Sequence, residues 1–412
     1  MLRRRSLTLM VAAFGVIGFA IRNSAQEPPK SSSAARTGRL SDQSIGDPVD
    51  DARAHRQAPR MEVLSDREWK RINDSVERAL AHLASRQLPD GSFAAKTSGQ
   101  PAITSLAVMA FLSAGYTPGE GRYGKQLDRA IDFALSCQRE DGLFSFEKTI
   151  QPVNQWGEAT HCATYNHAIT GLMLGEVLGQ TSADRAKRIR PAIDVAIDYA
   201  RRLQERRKRF PIDVGGLRYI RDTPPAPNGG DSDLSITAWY LMFMRSAKNA
   251  GFEVPRKYVD EMLEFVRSCY QPGSGAFIYA HYTNGRYISR GMTGAGVLSL
   301  FLSGRYDTGI EQGAGRWILS QPFRPYGGHY NGNTADRYHY SAYYCSLASL
   351  QLGGRYWEQF YPNLAEVLIE NQRADGSWPS EKDDADFGSC YSTSLAVLTL
   401  TPPYQLLPIY QR

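Results

Sequence analysis

Two kinds of helical pattern alternate along the chain from about residue 65 onward. The first kind is amphipathic: Ile72, Val76, Leu80 and Leu83 recur at spacings of three and four residues, which places them on one face of a helix. The second kind is apolar on nearly all sides, as in TSLAVMAFLSAG at 104–115, and a helix of that kind must be buried. Six segments of each kind follow one another. The alternation predicts an all-α fold, an α/α toroid of six helical hairpins with an inner and an outer ring of helices.

A short motif, Q-x-x-D-G-x-[FW], follows three of the amphipathic segments. Its copies begin at Gln87, Gln138 and Gln372, and the first two are separated by about 50 residues, a period typical of repeat folds. Asp and Gly favour a tight turn, Gln can bond exposed backbone groups, and the aromatic residue can pack between repeats. We therefore interpret the motif as a clasp between hairpins, in which Asp375 and Trp378 are structural rather than catalytic.

The first 60 residues differ in composition from the rest of the chain. Three arginines precede an apolar run at 7–21, and small residues lie before Gln26, which is typical of a signal peptide over residues 1–25. The run is shorter than the roughly 20 residues of a spanning helix, so we predict no stable membrane span in the mature form. Residues 26–60 have few large apolar side chains and are predicted to be a disordered linker. The toroid then occupies 61–412 in an exported protein, periplasmic or extracellular.

The charge balance argues against a nucleic-acid partner. Without residues 1–25, which carry four arginines and no acidic residue, the formal charge falls from +6 to +2. The remaining sequence has no basic stripe with interleaved aromatic residues. The chain has five cysteines, so at least one is unpaired within a monomer. Neither a cofactor nor an oligomeric state follows from these features.

The clasp motifs and the alternating helices resemble the prenyltransferase and squalene-cyclase repeat superfamily over roughly residues 65 to 400. The resemblance implies a central cavity that takes an isoprenoid or similar apolar ligand. Squalene-type cyclases protonate their substrate with a D-x-D-D motif, whereas GGDSDLS supplies Asp231 and Asp233 and then Leu234. Because the third acid is missing, the resemblance gives weak support to proton-initiated cyclisation.

A second departure concerns zinc, which protein prenyltransferase β subunits hold with Asp, Cys and His. Here His339 takes the place of the expected cysteine after Asp336, and Gly388 takes the place of the expected histidine. Asp336, His339 and Cys390 are admissible zinc ligands in a rearranged order. Their spacing is not that of the family, and we predict no metal site.

Polar residues accumulate where the inner helices are expected to begin. In a toroid these N-termini meet at one mouth, so their side chains are expected to converge there, although Asp231 and Asp233 are also ordinary capping residues. The candidate acid, base or ligand-orienting residues are His161, Asp231, Asp233, Asp336 and His339. Aromatic residues on the same helices are expected to line a cavity: Tyr165, Trp239, Tyr340, Tyr343 and Tyr391.

Three functions fit these features. The first is an exported enzyme or binding protein for a small isoprenoid-like ligand, the second a non-catalytic toroid that binds a ligand or a protein, and the third a polysaccharide-active α/α-barrel enzyme. A closed apolar pocket favours the first and a filled centre the second. An open groove with two facing carboxylates favours the third.

We predict that the signal peptide is cleaved near Ala25. Mass spectrometry of protein recovered outside the cytoplasm is expected to show an N-terminus close to Gln26, because the small residues at 23–25 form the cleavage site. Mature material that retains Met1 and the apolar run would contradict this prediction.

Overall fold

The computed structural model describes residues 63–149, 158–220, 231–282, 285–304, 308–328 and 336–411. The predicted signal peptide (1–25) and the predicted linker (26–60) lie outside these residues and stay predictions. The described residues form twelve α-helices, which alternate between an outer and an inner ring. The outer helices are α1 Asp66–Ser85, α3 Gly124–Ser136, α5 Ala183–Gln204, α7 Arg256–Ser268, α9 Thr308–Leu319 and α11 Gly354–Glu370.

The inner helices form a closed ring. They are α2 Ala102–Ser113, α4 Glu158–Val177, α6 Leu234–Asn249, α8 Arg290–Leu302, α10 Tyr338–Leu352 and α12 Ser389–Leu400. Each packs on the next inner helix, and α12 packs back on α2, which confirms the predicted toroid. A two-residue antiparallel pair, β1 Tyr270–Gln271 and β2 Ala276–Phe277, lies in the turn of the fourth hairpin.

The inner helices are buried because the outer ring covers them, as their all-round apolar pattern predicts. Every residue of α2 is buried, and the six alanines that recur once per inner helix are fully inaccessible. These are Ala107, Ala168, Ala238, Ala295, Ala342 and Ala396. In the part of the chain that the structure describes, no helix combines the length and the hydropathy needed to cross a bilayer.

The glutamines of the repeated motif join neighbouring hairpins, as predicted for a clasp. Gln87 Nε2 donates to the carbonyl of Gln126 on α3 at 2.8 Å, and Gln138 Nε2 donates to the carbonyl of Ala192 on α5 at 2.7 Å. Gln372 Nε2 donates to the carbonyl of Ser75 on α1 at 2.9 Å. The third copy therefore joins the last hairpin to the first and closes the outer ring.

The other motif residues fix the turn against the next helix. Gly376 has a φ of +86°, and a Cβ there would lie 2.3 Å from the carbonyl oxygen of Arg78. Only glycine fits this close approach. Trp378 is fully buried, and its Nε1 donates to the carbonyl of Leu368 at 2.8 Å. The motif thus supplies both a turn and a buried anchor.

The C-terminal segment closes one end of the ring. Ile409 donates its backbone N–H to Glu176 Oε2 of α4 at 3.1 Å, and Gln351 Nε2 of α10 donates to the carbonyl of Tyr410 at 3.2 Å. The hydroxyls of Tyr410 and Tyr343 are hydrogen-bonded to each other. Since Glu176 and Gln351 lie on the last turns of α4 and α10, the segment plugs that end of the toroid, and Tyr410 reaches inward as far as Tyr343.

Replacing Trp378 with alanine is expected to lower the free energy of unfolding by about 3–5 kcal/mol, because a buried aromatic anchor and its hydrogen bond are lost. Chemical denaturation measures this change. Phe146→Ala removes an aromatic side chain that is half exposed and is expected to cost well under about 1 kcal/mol. Equal, small effects of the two substitutions would show that Trp378 is not an anchor.

Candidate functional site

A cavity lies between the six inner helices, towards their N-terminal ends. Its volume is about 120 Å³. All six inner helices contribute wall residues close to their N-termini, for example Leu106, Tyr165, Trp239, Met292 and Tyr340. The cavity therefore occupies the end of the toroid opposite to the C-terminal plug.

Aromatic side chains are the most frequent type on the cavity wall. Tyr279 and Tyr287 stack with ring centroids 5.2 Å apart and an interplanar angle of 12°. Among the described residues, no Asp or Glu lies on this wall, and Arg337 is its one Lys or Arg side chain. Such a composition suits an apolar ligand with a few hydroxyl contacts. The aromatic wall residues are Tyr165, Tyr219, Trp239, Tyr279, Tyr287, Tyr340, Phe387 and Tyr391.

Of the five aromatic residues predicted to line a cavity, the structure places Tyr165, Trp239, Tyr340 and Tyr391 on the wall. Tyr343 is not a wall residue, and the prediction for it is wrong. Its ring stacks on Trp239 with centroids 5.6 Å apart, on the side of the C-terminal plug. The reason is that Tyr343 lies about one helical turn deeper than Tyr340, where Tyr410 fills the axis.

Asp233 is a buried cap rather than a wall residue. Its Oδ1 accepts from the backbone N–H of Ile236 at 2.9 Å, so it caps α6 as the capping alternative predicted. Its Oδ2 lies 3.3 Å from an Nη of Arg218, whose side chain is almost fully buried. Burial raises the pKa of the Asp233 carboxyl above its ordinary value, and the nearby Arg218 opposes this rise.

A chain of hydroxyls connects Asp233 to the cavity. Ser235 Oγ donates to Asp233 Oδ1 at 2.6 Å, and the hydroxyl of the wall residue Tyr165 lies 2.7 Å from Ser235 Oγ. Ser235 is itself a wall residue. The carboxyl can thus exchange a proton with the cavity through two hydroxyl groups without lying on its surface.

Asp231 and His161 belong to the same cluster. Asp231 Oδ1 lies 3.5 Å from Nε of Arg218. The ring of His161 packs edge-on against Tyr219, with centroids 4.7 Å apart. Arg218 also lies over the Tyr219 ring at 4.7 Å. Asp231 and the wall residue Tyr219 therefore contact Arg218, and His161 joins the cluster through Tyr219.

Asp336 holds the hairpins together instead of facing the cavity. Its Oδ2 accepts from Nε of Arg290 at 2.8 Å, and its Oδ1 accepts from the backbone N–H of Arg290 at 2.8 Å and from Ser341 Oγ at 3.1 Å. Both Asp336 and Arg290 are buried. The carboxylate therefore joins the start of α8 to the start of α10.

His339 points between the last two hairpins. Its Nε2 lies 2.9 Å from the hydroxyl of Tyr326 and 3.3 Å from the carbonyl of Pro379. Burial lowers the pKa of His339 to about 4, so the imidazole is neutral near pH 7. The expectation that the five candidate residues form one site on the cavity is corrected, because none of them lies on its wall: His161, Asp231, Asp233, Asp336 and His339. The three aspartates lie against buried arginines, and the two histidines pack against tyrosines.

The sequence reasoning missed Arg218, Tyr219, Tyr279 and Tyr287, which come from the turns and not from the inner helices. A signal for two of them exists. Leu217 and Phe277 donate their backbone N–H to an inner-helix threonine, as the clasp aromatic residues Phe93 and Trp378 do. Tyr219 and Tyr279, two positions after Leu217 and Phe277, lie on the cavity wall.

Asp336, His339 and Cys390 are the residues that could have formed a rearranged zinc site. Among the described residues, no group of three His, Cys, Asp or Glu side chains could hold a metal ion. The carboxylate of Asp336 is engaged by Arg290, and burial raises the pKa of Cys390 to about 11, which disfavours the thiolate that zinc requires. All five cysteines are buried and free.

The fold is shared with solved structures of low sequence identity. A variant of the type II terpene cyclase MstE from Scytonema, in complex with geranylgeranyl dihydroxybenzoate, matches with a TM-score of 0.50 and 15% identity, over 84% of this chain and 100% of that one. An α-1,6-mannanase of Salegentibacter matches with a TM-score of 0.55 and 11% identity, over 81% and 99%. Cellobiose 2-epimerase from Spirochaeta thermophila matches with 0.53 and 13%, over 82% and 97%.

These matches identify the architecture. The chain is an α/α toroid of the terpenoid-cyclase type, and enzymes that act on sugars share this architecture. No family model and no curated protein matches the sequence. The likeness therefore shows the fold and not the chemistry of the site.

We expect Asp336→Asn to destabilise the fold rather than to abolish ligand binding selectively. Removing one charge of a buried ion pair leaves Arg290 uncompensated, which costs about 3–5 kcal/mol. Thermal or denaturant unfolding measures this. Asp74→Asn is the control, because Asp74 pairs with Lys70 on the exposed face of α1 and its loss costs at most about 1 kcal/mol. A stable Asp336→Asn variant would contradict the structural role.

Proposed function

We propose that this chain binds an apolar, isoprenoid-like ligand in the central cavity, and that the site can exchange a proton with it. The observation that carries this proposal is the wall itself, built from tyrosines, Trp239 and Phe387 without a carboxylate among the described residues. The terpene cyclase MstE, which shares the fold, was solved with geranylgeranyl dihydroxybenzoate and with merosterolic acid A. That likeness supports the ligand class through the architecture alone.

The aromatic wall also suits the chemistry of a reactive apolar ligand. The faces of Tyr and Trp rings stabilise a positive charge. Asp233 is an ionisable group connected to the cavity by hydroxyls, through Ser235 and Tyr165. A proton that leaves Asp233 for the ligand would move from Asp233 to Ser235, from Ser235 to Tyr165 and from Tyr165 to the ligand. The reverse sequence returns it.

The two alternative functions have less support. A polysaccharide-active enzyme needs two carboxylates facing each other across the sugar, and the described wall has none. For the non-catalytic toroid that binds a ligand or a protein we expect a filled centre, whereas a cavity of about 120 Å³ lies here. We also propose export, on the basis of the signal-like sequence at residues 1–25.

Fluorescence of Trp239 tests the ligand class directly. Geranylgeraniol, squalene and geranylgeranyl diphosphate are compared with mannotetraose as a sugar probe. We expect an isoprenoid to change the tryptophan emission and to raise the melting temperature, since a ligand at about 100 times its Kd adds about 2.7 kcal/mol.

Two variants make the test specific. Trp239→Phe is expected to lose the emission change and to keep the thermal shift. Trp357→Phe removes a tryptophan stacked on Tyr361 in the outer ring and is expected to keep both signals. A thermal shift with mannotetraose and none with any isoprenoid would overturn the proposed ligand class.

A further inference from the structure

A second cluster of reactive side chains lies at the seam between the last and the first hairpin. His82 Nε2 of α1 lies 3.1 Å from Oγ of Ser389, the first residue of α12. His82 Nδ1 lies 3.5 Å from Oδ2 of Asp375 in the clasp turn. A serine and a carboxylate on opposite nitrogens of one imidazole form the arrangement of nucleophile, general base and orienting acid.

This combination arises where the ring closes. His82 lies five residues before the clasp glutamine Gln87, and the residues five before Gln138 and Gln204 are Phe133 and Tyr199. Aromatic side chains thus occupy the positions equivalent to His82 in the next two outer helices. An imidazole at the closing seam brings a base next to the clasp residue Asp375 and to the start of α12.

Ser389 is not used to cap its helix. Four inner-helix threonines accept a backbone N–H from the turn that precedes their helix: Thr104, Thr237, Thr293 and Thr393. The residues four positions before these threonines are, in the same order, Gln100, Asp233, Ser289 and Ser389. The first three accept a hydrogen bond from a backbone N–H of their own helix. In contrast, no side chain caps α12. The Ser389 hydroxyl instead lies within hydrogen-bond distance of the His82 imidazole.

The surroundings of His82 favour a base. Burial lowers the pKa of His82; Asp375 acts against this, and Arg86 and Arg373 add to it. The imidazole is therefore neutral at pH 7. A proton on Nδ1, facing Asp375, leaves the Nε2 lone pair for the hydroxyl of Ser389. The His82 side chain is 7% exposed and that of Asp375 is 60% exposed, so the group lies just beneath the surface.

The start of α12 supplies donors for a developing negative charge. The first N–H groups of an α-helix have no partner within the helix, and the positive end of the helix dipole lies there. In α12 these are the N–H groups of Ser389 and Cys390, and no side chain caps them. A nucleophile on this turn would place its oxyanion beside those N–H groups, as acyl transfer requires.

We propose that Ser389, His82 and Asp375 form a second, hydrolytic site that cleaves small carboxylic esters with water. Ser389 Oγ attacks the ester carbonyl carbon and gives its proton to His82 Nε2, which passes it to the departing alcohol as the C–O bond breaks. Water then attacks the acyl-Ser389 carbonyl, loses a proton to His82 and releases the acid, and His82 returns the proton to Ser389. Asp375 is the positioning residue that orients the imidazole.

Two neighbouring groups define the substrate further. Arg86 lies four residues after His82 at the C-terminal end of α1, and Arg373 lies two residues before Asp375 in the clasp turn. Both are exposed cations near the site, so an ester that carries a carboxylate is favoured over a neutral one. The adjacent thiol of Cys390 does not compete as nucleophile, because it is fully buried and burial raises its pKa to about 11. Ser389, His82 and Asp375 are not among the residues that line the central cavity.

The test is hydrolysis of 4-nitrophenyl acetate and of mono-4-nitrophenyl succinate, together with labelling by a fluorophosphonate. We expect the label on Ser389 by peptide mass spectrometry, and a higher kcat/KM for the succinate. Ser389→Ala and His82→Gln are expected to lower kcat/KM at least 100-fold. Asp375→Asn is expected to lower kcat about tenfold or more and to shift the pH profile, which in the wild type rises through a midpoint below 6.5.

Ser85→Ala is the matched control, because Ser85 lies on the same last turn of α1 and its hydroxyl bonds the carbonyl of His82. It is expected to keep full activity and labelling. Melting curves of all variants separate lost chemistry from lost folding, and labelling of the wild type needs no variant at all. Wild-type hydrolysis no faster than that of the Ser389→Ala variant, or no label on Ser389, would overturn the proposal.

Discussion

Closure of the ring depends on a hydrogen bond between a side-chain amide and a backbone carbonyl of the next outer helix. Gln87, Gln138, Gln204 and Gln372 each make it, and Gln372 makes it across the start and the end of the toroid. A backbone carbonyl that faces a neighbour needs a donor, and a glutamine amide reaches it without a charge to bury. With the ring closed, each apolar inner helix is covered by its neighbours and by the outer ring, and all six inner helices contribute to the cavity wall.

The mouth of the toroid is held by buried arginines, and this explains why its acids do not reach the cavity. Arg218 lies against Asp231 and Asp233, and Arg290 lies against Asp336. A guanidinium buried without a carboxylate would be strongly unfavourable, so the acids at the helix starts are needed as partners. Asp233 keeps a connection to the cavity through Ser235 and Tyr165, and Asp336 keeps one through the wall residue Ser341.

The sequence predicted the helices and the clasps because both depend on local patterns, and it predicted the site only in part. Apolar periodicity identified the inner helices, and a helical register placed Tyr165, Trp239, Tyr340 and Tyr391 near one another. It failed for Tyr343, because the plug by Tyr410 comes from a segment distant in sequence. Similarly, Arg218 lies in a turn, where no periodic pattern indicates which way a side chain points. The fold therefore follows from repetition, whereas the site depends on contacts between non-equivalent turns.

Repetition also shows where chemistry can arise. A residue that serves the same structural purpose in several hairpins, such as the clasp glutamine, is committed to the fold. At the closing seam His82 stands at a position that is aromatic in the next two outer helices, and it meets a serine that does not cap its helix. Both His82 and Ser389 thus depart from the repeat, and the two meet at one hydrogen bond. Packing alone explains this pair of departures less easily than it would explain either one. Among the described residues, polar groups are thus available for chemistry in the hydroxyl chain into the cavity and at the seam.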